Sequence, residues 1–139
     1  MALGIDTEIL ARLTLFADLT RPQLELIAQS YEEDLFSEGQ RVLHHGMSGT
    51  GLYVILDGEA VVSLGDKELA RLGRGEFFGD VSALTGSPPT TDIVASQPLR
   101  CLVVPREEVE PFLLAYPSVA VRMLKVILRR LAATLEWLE

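Results

Sequence analysis

The segment Gly75-Glu76-Phe77-Phe78-Gly79-Asp80-Val81-Ser82-Ala83-Leu84-Thr85-Gly86 holds the residues best placed to do chemistry. Phe77-Phe78 reads as the end of a strand, Gly79 as a break, and the residues after it as a short helical stretch. A glycine at such a break lets the main chain turn tightly and come close to a ligand. The start of the new helix points free N–H groups and the positive end of its dipole outward. The chain then returns through Ser87-Pro88-Pro89-Thr90-Thr91-Asp92, with two hydroxyls at hand, before the strand-like Ile93-Val94-Ala95. The chemistry this predicts is recognition of an anion, a phosphate or a carboxylate, held mainly by backbone. A sheet end that happens to contain a turn fits the same residues, and local physics leaves both readings open.

Other reactive residue types form no comparable set. His44 and His45 are adjacent, which on a strand sends them to opposite faces, and no third ligand stands out; no metal is expected. Cys101 is the single cysteine, which excludes an internal disulfide and a multi-thiolate zinc or iron–sulfur site, and its apolar neighbours mark it as core. Glu76 and Asp80 flank the turn without a histidine or nucleophile, so an enzyme is not expected. A net charge of −8 argues against a nucleic-acid surface, because phosphate binding needs clustered Lys and Arg. No apolar run approaches the roughly 18 residues of a membrane span, and Met1-Ala2-Leu3-Gly4-Ile5-Asp6 has no signal-peptide character. The expectation is a cytoplasmic domain with no membrane contact.

The elements that position the turn fall into three zones of one domain, residues 1–139. Over 1–30 apolar residues recur at helical spacing, and Thr20-Arg21-Pro22-Gln23 carries a cap, a first-turn proline and the reciprocal capping residue. Over 31–105 nearly all the glycines separate short runs rich in Val, Leu, Ile and Tyr, among them 51–56, 60–64 and 99–104. Asp57-Gly58 and Gly65-Asp66 supply turns, the former with hairpin chemistry, while Glu32-Glu33-Asp34 reads as a solvated start to the β zone. Many short strands at this spacing predict a β-barrel or two-sheet jelly roll. Over 106–139 the helical pattern returns, broken by Pro117, with Trp137 near its end as a packing or dimer anchor.

Most of the chain, from about Leu15 to Thr134, resembles the cyclic nucleotide-binding domain of catabolite activator proteins, protein kinase A regulatory subunits and gated channels. The resemblance rests on Phe36-Ser37-Glu38-Gly39, Gly46 after His44-His45, Tyr53-Val54-Ile55 with Gly58, and Leu72-Gly73-Arg74-Gly75-Glu76-Phe77-Phe78-Gly79, in the family order. Pro117-Ser118 before a long helix with Arg129-Arg130-Leu131 matches the family's hinge and last helix. The fold this implies is mainly β with flanking helices: a double-stranded β-helix, or jelly-roll barrel, with N-terminal helices and a long C-terminal helix.

The resemblance implies cAMP or cGMP as ligand, held by a cassette spanning 77–92. It assigns ligand contacts to Phe78, Gly79, Asp80, Val81 and Ser82, then to Pro89, Thr90 and Thr91, with Thr134 of the last helix at the adenine position. Asp80 stands where the family has a glutamate that accepts from the ribose 2′-hydroxyl; it keeps the acceptor but is one methylene shorter. Pro89 stands where the family has the phosphate-binding arginine. Charge-assisted hydrogen bonds are worth about 1.5–3 kcal/mol each, so this loss predicts binding weakened by roughly 10- to 150-fold. Arg74, Arg129 and Arg130 are the cations available to replace it. The last helix, with its apolar seam, is expected either to pack on its own barrel or to form a homodimer.

The function expected is therefore a small-molecule sensor whose last helix responds to a ligand. Two alternatives accompany it: a degenerate interaction or dimerisation domain that binds no nucleotide, and the effector portion of a transcription regulator.

Overall fold

The computed structural model describes residues 5–43, 51–89 and 91–136. His44, His45, Gly46, Thr90 and Trp137 lie outside the described residues.

Helix α1 (Thr7–Ala11) opens where the Asp6 carboxylate accepts from the Glu8 N–H at 2.9 Å. After a 3-10 turn at Thr14–Phe16, α2 (Arg21–Ser30) starts on the expected capping box. There Gln23 N–H donates to Thr20 Oγ1, and Thr20 N–H donates to Gln23 Oε1. Two of the orphan donors at the helix start are thereby satisfied locally, which fixes where the helix begins.

Eight strands follow: β1 (Glu32–Phe36), β2 (Arg41–Leu43), β3 (Gly51–Asp57), β4 (Ala60–Leu64), β5 (Lys67–Leu72), β6 (Phe77–Phe78), β7 (Asp92–Ala95) and β8 (Leu99–Pro105). They form two four-stranded antiparallel sheets, ordered β1-β8-β3-β6 and β2-β7-β4-β5. Strand β3 reads Gly-Leu-Tyr-Val-Ile-Leu because both of its faces are buried. Leu52, Val54 and Leu56 join the helices in one core, while Tyr53 and Ile55 join a second core between the sheets. The period-two alternation of strand side chains produces this division.

The turn chemistry holds at Gly65-Asp66, where Leu64 pairs with Lys67 across a β4–β5 hairpin. It does not hold as expected at Asp57-Gly58. Gly58 does take a positive φ of 97°, but β3 and β4 lie in different sheets, so the chain crosses between layers instead of folding back. The close packing of Gly58 on the Pro98 carbonyl explains the glycine: a Cβ there would sit 2.3 Å from that oxygen.

Helix α3 (Asp80–Thr85) interrupts the β zone as the sequence predicts. Beyond β8, α4 (Arg106–Ala115) and α5 (Pro117–Glu136) meet at a 111° break. No single helix among the described residues is long and apolar enough to cross a membrane.

At about 100° of rotation per residue, α5 carries three stripes. Val119 and Met123 are buried, with Val126, Ile127 and Arg130 half-buried beside them. Arg122, Lys125 and Arg129 run along one flank. Val121, Leu124, Leu128, Leu131 and Leu135 run along the other, each about half exposed. The Arg122 guanidinium grips the Asp18 carboxylate through two bonds of 2.6 and 3.1 Å, which ties α5 to the N-terminal helices. That guanidinium also draws the Asp18 carboxyl below its ordinary pKa.

Candidate functional site

The site begins where β6 runs into α3. Phe78 is buried and stacks flat on Tyr53 of β3, with ring centroids 4.9 Å apart and planes 4° from parallel. Gly79 follows with φ +83°, and a Cβ on it would lie 2.3 Å from the Gly51 carbonyl oxygen and 3.3 Å from the Tyr53 ring. Only glycine combines that left-handed backbone with so close an approach to a neighbouring strand. The bend thus aims the first turn of α3 from a rigid point on the sheet.

Asp80 and Ser82 are the buried polar residues of the described chain, and both lie in this turn. Burial pushes the Asp80 carboxyl above its ordinary pKa, because desolvation disfavours the charged form. The Arg130 guanidinium and the N–H groups of Asp80 and Val81 pull in the opposite direction. The Ser82 Oγ is buried with no hydrogen-bond partner among the described residues. An unpartnered buried hydroxyl costs about 1–3 kcal/mol, so a fold that keeps one there has a polar position to fill.

Arg130 enters the site from α5. Its Nη2 donates to the Phe77 carbonyl at 2.9 Å, its Nη1 lies 3.8 Å from Asp80 Oδ1, and its guanidinium sits 4.5 Å from the Phe77 ring centroid. Of the three cations considered from sequence, Arg130 reaches the cassette. Arg74 instead pairs with Asp57 at 3.1 Å, and Arg129 is exposed on the flank of α5. A signal for Arg130 existed in the sequence: it is a charge on the stripe that Val119, Met123 and Val126 bury.

The remaining expected contacts are less concentrated. Val81 is half exposed on the outer side of α3. Pro89 is buried, and Thr91 is half-buried. Thr90 falls outside the described residues. Thr134 is exposed, and its hydroxyl donates to the Arg130 carbonyl at 3.0 Å, one turn back along α5. At the far end of α3, Arg106 lies against Gly86, where a cation suits the negative end of a helix dipole. Between the sheets, Val62 and Val103 pack against the second core yet stay half-buried. Among the described residues, no three His, Cys, Asp or Glu side chains come together to hold a metal.

Comparison with known proteins agrees with this geometry. Residues 33–116 match the family model described as the cyclic nucleotide-binding domain. A cGMP-dependent protein kinase of Eimeria tenella is 32% identical over 102 residues, 73% of this chain and 10% of the kinase. The chain therefore spans about a tenth of that relative's length. The crystal structure of the Thermus thermophilus catabolite activator protein superposes with a TM-score of 0.77 at 27% identity, over 88% of this chain and 61% of that one. A PKAR CBD2 structure with Sp-2Cl-cAMPS bound shares the fold, with a TM-score of 0.77 at 19% identity, over 92% of this chain and 88% of that one. With its jelly roll of two four-stranded sheets, its glycine-broken cassette and a match over more than half its length, the chain belongs to the cyclic nucleotide-binding domain family.

Proposed function

We propose that this domain is a regulatory sensor that takes a cyclic nucleotide at the β6–α3 turn, weakly or with altered selectivity, and reports occupancy through α5. The observation that carries the reading is the placement, directly after Gly79, of buried Asp80 and of buried Ser82, whose Oγ has no hydrogen-bond partner among the described residues. In this assignment Asp80 accepts from the ribose hydroxyl. The α3 turn, with Gly79, Val81 and Ser82, faces the phosphate. Phe78 forms the floor, and Pro89, Thr90 and Thr91 border the site. Thr134 of α5 lies toward the base. The domain performs no catalysis of its own on this reading and works in the cytoplasm.

Pro89 is the weak point of that assignment. A buried proline brings neither charge nor donor to a phosphate, so the backbone must hold what a guanidinium would otherwise neutralise. Weak binding follows from this.

A second reading, a degenerate domain, draws on a specific observation. The Asp80 charge is already met by Arg130 and by nearby main-chain N–H groups, so an incoming anion competes with the protein's own carboxylate. On this reading the exposed heptad of α5 does the work by pairing with a second copy. The dimer is compatible with both readings, and with a place as the effector portion of a transcription regulator.

Thermal melting with millimolar cAMP or cGMP separates the two readings. A ligand at 100 times its Kd stabilises a fold by about 2.7 kcal/mol through mass action. A rise in Tm with either nucleotide supports the sensor. An unmoved Tm with both supports the degenerate domain.

A further inference from the structure

A cleft with a mainly apolar lining and a rim of cations lies outside the sheets, on the flank of α5 that faces the N-terminal helices. It has a volume of about 200 Å³ and lies among Thr14 and Leu15 of the 3-10 turn, Gly75–Phe77, and Arg122, Lys125, Val126 and Arg129 of α5. Its cations stand three and four residues apart, so one helix face presents all of them to the same space. Arg122 is committed to Asp18. Lys125 adds only a through-space pull on that carboxylate, and Arg129 has no hydrogen bond or ion pair among the described residues.

Among the described residues, the one acid lining the cleft is Glu76, whose Oε2 accepts from the Gly73 N–H at 2.7 Å. That bond directs part of its charge into the turn before β6. On a chain of net charge −8, a concave site with two uncommitted cations is a local reversal of sign, and a cleft concentrates such a field. Thr14 of the 3-10 turn also lines the cleft and is a hydroxyl-bearing residue. Cationic donors on α5 together with a threonine suit a tetrahedral oxyanion.

We propose that this cleft is an anion site separate from the cassette, which takes a phosphate ester between Lys125 and Arg129 of α5 and Thr14. An occupant there bridges α5 to the 3-10 turn, next to the Asp18–Arg122 pair that already ties α5 to the segment just after that turn. The site rests on residues that the cyclic nucleotide reading does not use, so either can fail alone.

The test is titration of the 139-residue chain with inorganic pyrophosphate at low ionic strength, against chloride at matched ionic strength, scored by thermal melting. A Tm rise specific to pyrophosphate is expected. Lys125→Gln and Arg129→Gln should each weaken the apparent affinity about fivefold, the value of an exposed ion pair near 1 kcal/mol, and together about 25-fold. Both side chains are exposed, so the variants should melt as the parent does without the anion. Amide NMR shifts give a readout that needs no substitution: pyrophosphate should move Thr14, Gly75 and Lys125 but not Gly79 to Ser82. Protection no greater than that of chloride overturns the proposal. So does protection that survives the double substitution, or shifts centred on Gly79 to Ser82, since the anion would then be bound elsewhere.

Discussion

Arg130 Nη1 lies 3.8 Å from Asp80 Oδ1, which joins the middle of the C-terminal helix to the first turn of α3. At that separation the contact is an ion pair without a hydrogen bond, and the guanidinium donates instead to the Phe77 carbonyl. Its strength comes from where it sits: the Asp80 side chain is 9% exposed and the Arg130 side chain 36%. Any displacement of α5 must break this contact, and any ligand group that engages Asp80 must share the carboxylate with it.

Replacing Arg130 with Gln should therefore produce a pH-dependent loss of stability. The Asp80 carboxyl has a raised pKa in the fold, so its linked stability is greatest below the unfolded value near 3.9 and falls as pH rises through the folded value. Arg130 limits that fall; without it the folded pKa rises further. Urea melts should show a deficit at all pH values from the lost contacts with Phe77, and that deficit should grow by about 1–3 kcal/mol between pH 4 and pH 7 as Asp80 ionises. A deficit that is the same at both pH values would remove Asp80 from the account.

Gly79 and Gly39 offer a controlled comparison, because both hold φ near +84°. A Cβ at Gly39 meets nothing within 4 Å, so Gly39→Ala should cost only the left-handed backbone penalty of about 1 kcal/mol. At Gly79 the same atom would meet the Gly51 carbonyl at 2.3 Å, and strand β3 would have to move. Gly79→Ala should cost more than about 2 kcal/mol and abolish any response to cyclic nucleotide. Equal costs in denaturant melts would mean that the contact with Gly51 does not constrain the turn.

These two sites also show what was legible in the sequence. The capping box at Thr20 and Gln23, the doubly buried run of β3 and the break at Gly79 are local signals, and each predicts its element without knowledge of the rest. Asp57-Gly58 carries the same kind of signal but misleads, since a dipeptide fixes a turn and not the sheet that the next strand joins. Strands β1 and β5 are sheet edges with mostly exposed side chains, so no apolar alternation marks them. Glu33, read as part of a solvated run, pairs with Arg100 on the adjacent strand. The Arg130 contacts span about 50 residues of chain and have no local signature beyond a charge on a buried stripe.

Cys101 should behave as an inert core residue. It is fully buried between the sheets, and burial pushes its thiol up to about 12, with Asp34 and Glu33 adding to the rise. The thiolate is the reactive form, so disulfide reagents should label the native protein no faster than it unfolds. Labelling within seconds at pH 8 without denaturant would show that the two-sheet core opens readily.

The outer stripe of α5 has residues at 121, 124, 128, 131 and 135, the alternating three–four spacing of a coiled-coil seam. Each side chain is about half exposed, so Leu131→Glu should leave the fold intact. If the seam pairs two copies, light scattering should read a dimer for the parent and a monomer for the variant. A monomeric parent at high micromolar concentration would leave the stripe without a role in self-association.

Pro89 is the residue on which cyclic nucleotide affinity should turn. It is buried in the loop that returns from α3, has neither charge nor N–H donor, and on the proposed assignment stands at the family's arginine position. In Pro89→Arg, each charge-assisted hydrogen bond to the cyclic phosphate is worth about 1.5–3 kcal/mol, so calorimetry should read affinity tightened by roughly 10- to 150-fold. Without ligand the same guanidinium replaces a buried proline and has no phosphate to meet, so the variant should melt below the parent. Nucleotide should then raise its Tm by more than it raises that of the parent, because the ligand restores the missing charge as well as binding. If the variant is folded and its affinity for both cAMP and cGMP is unchanged, position 89 does not face the phosphate, and the assignment of the cassette from Ser87 to Asp92 must be redrawn.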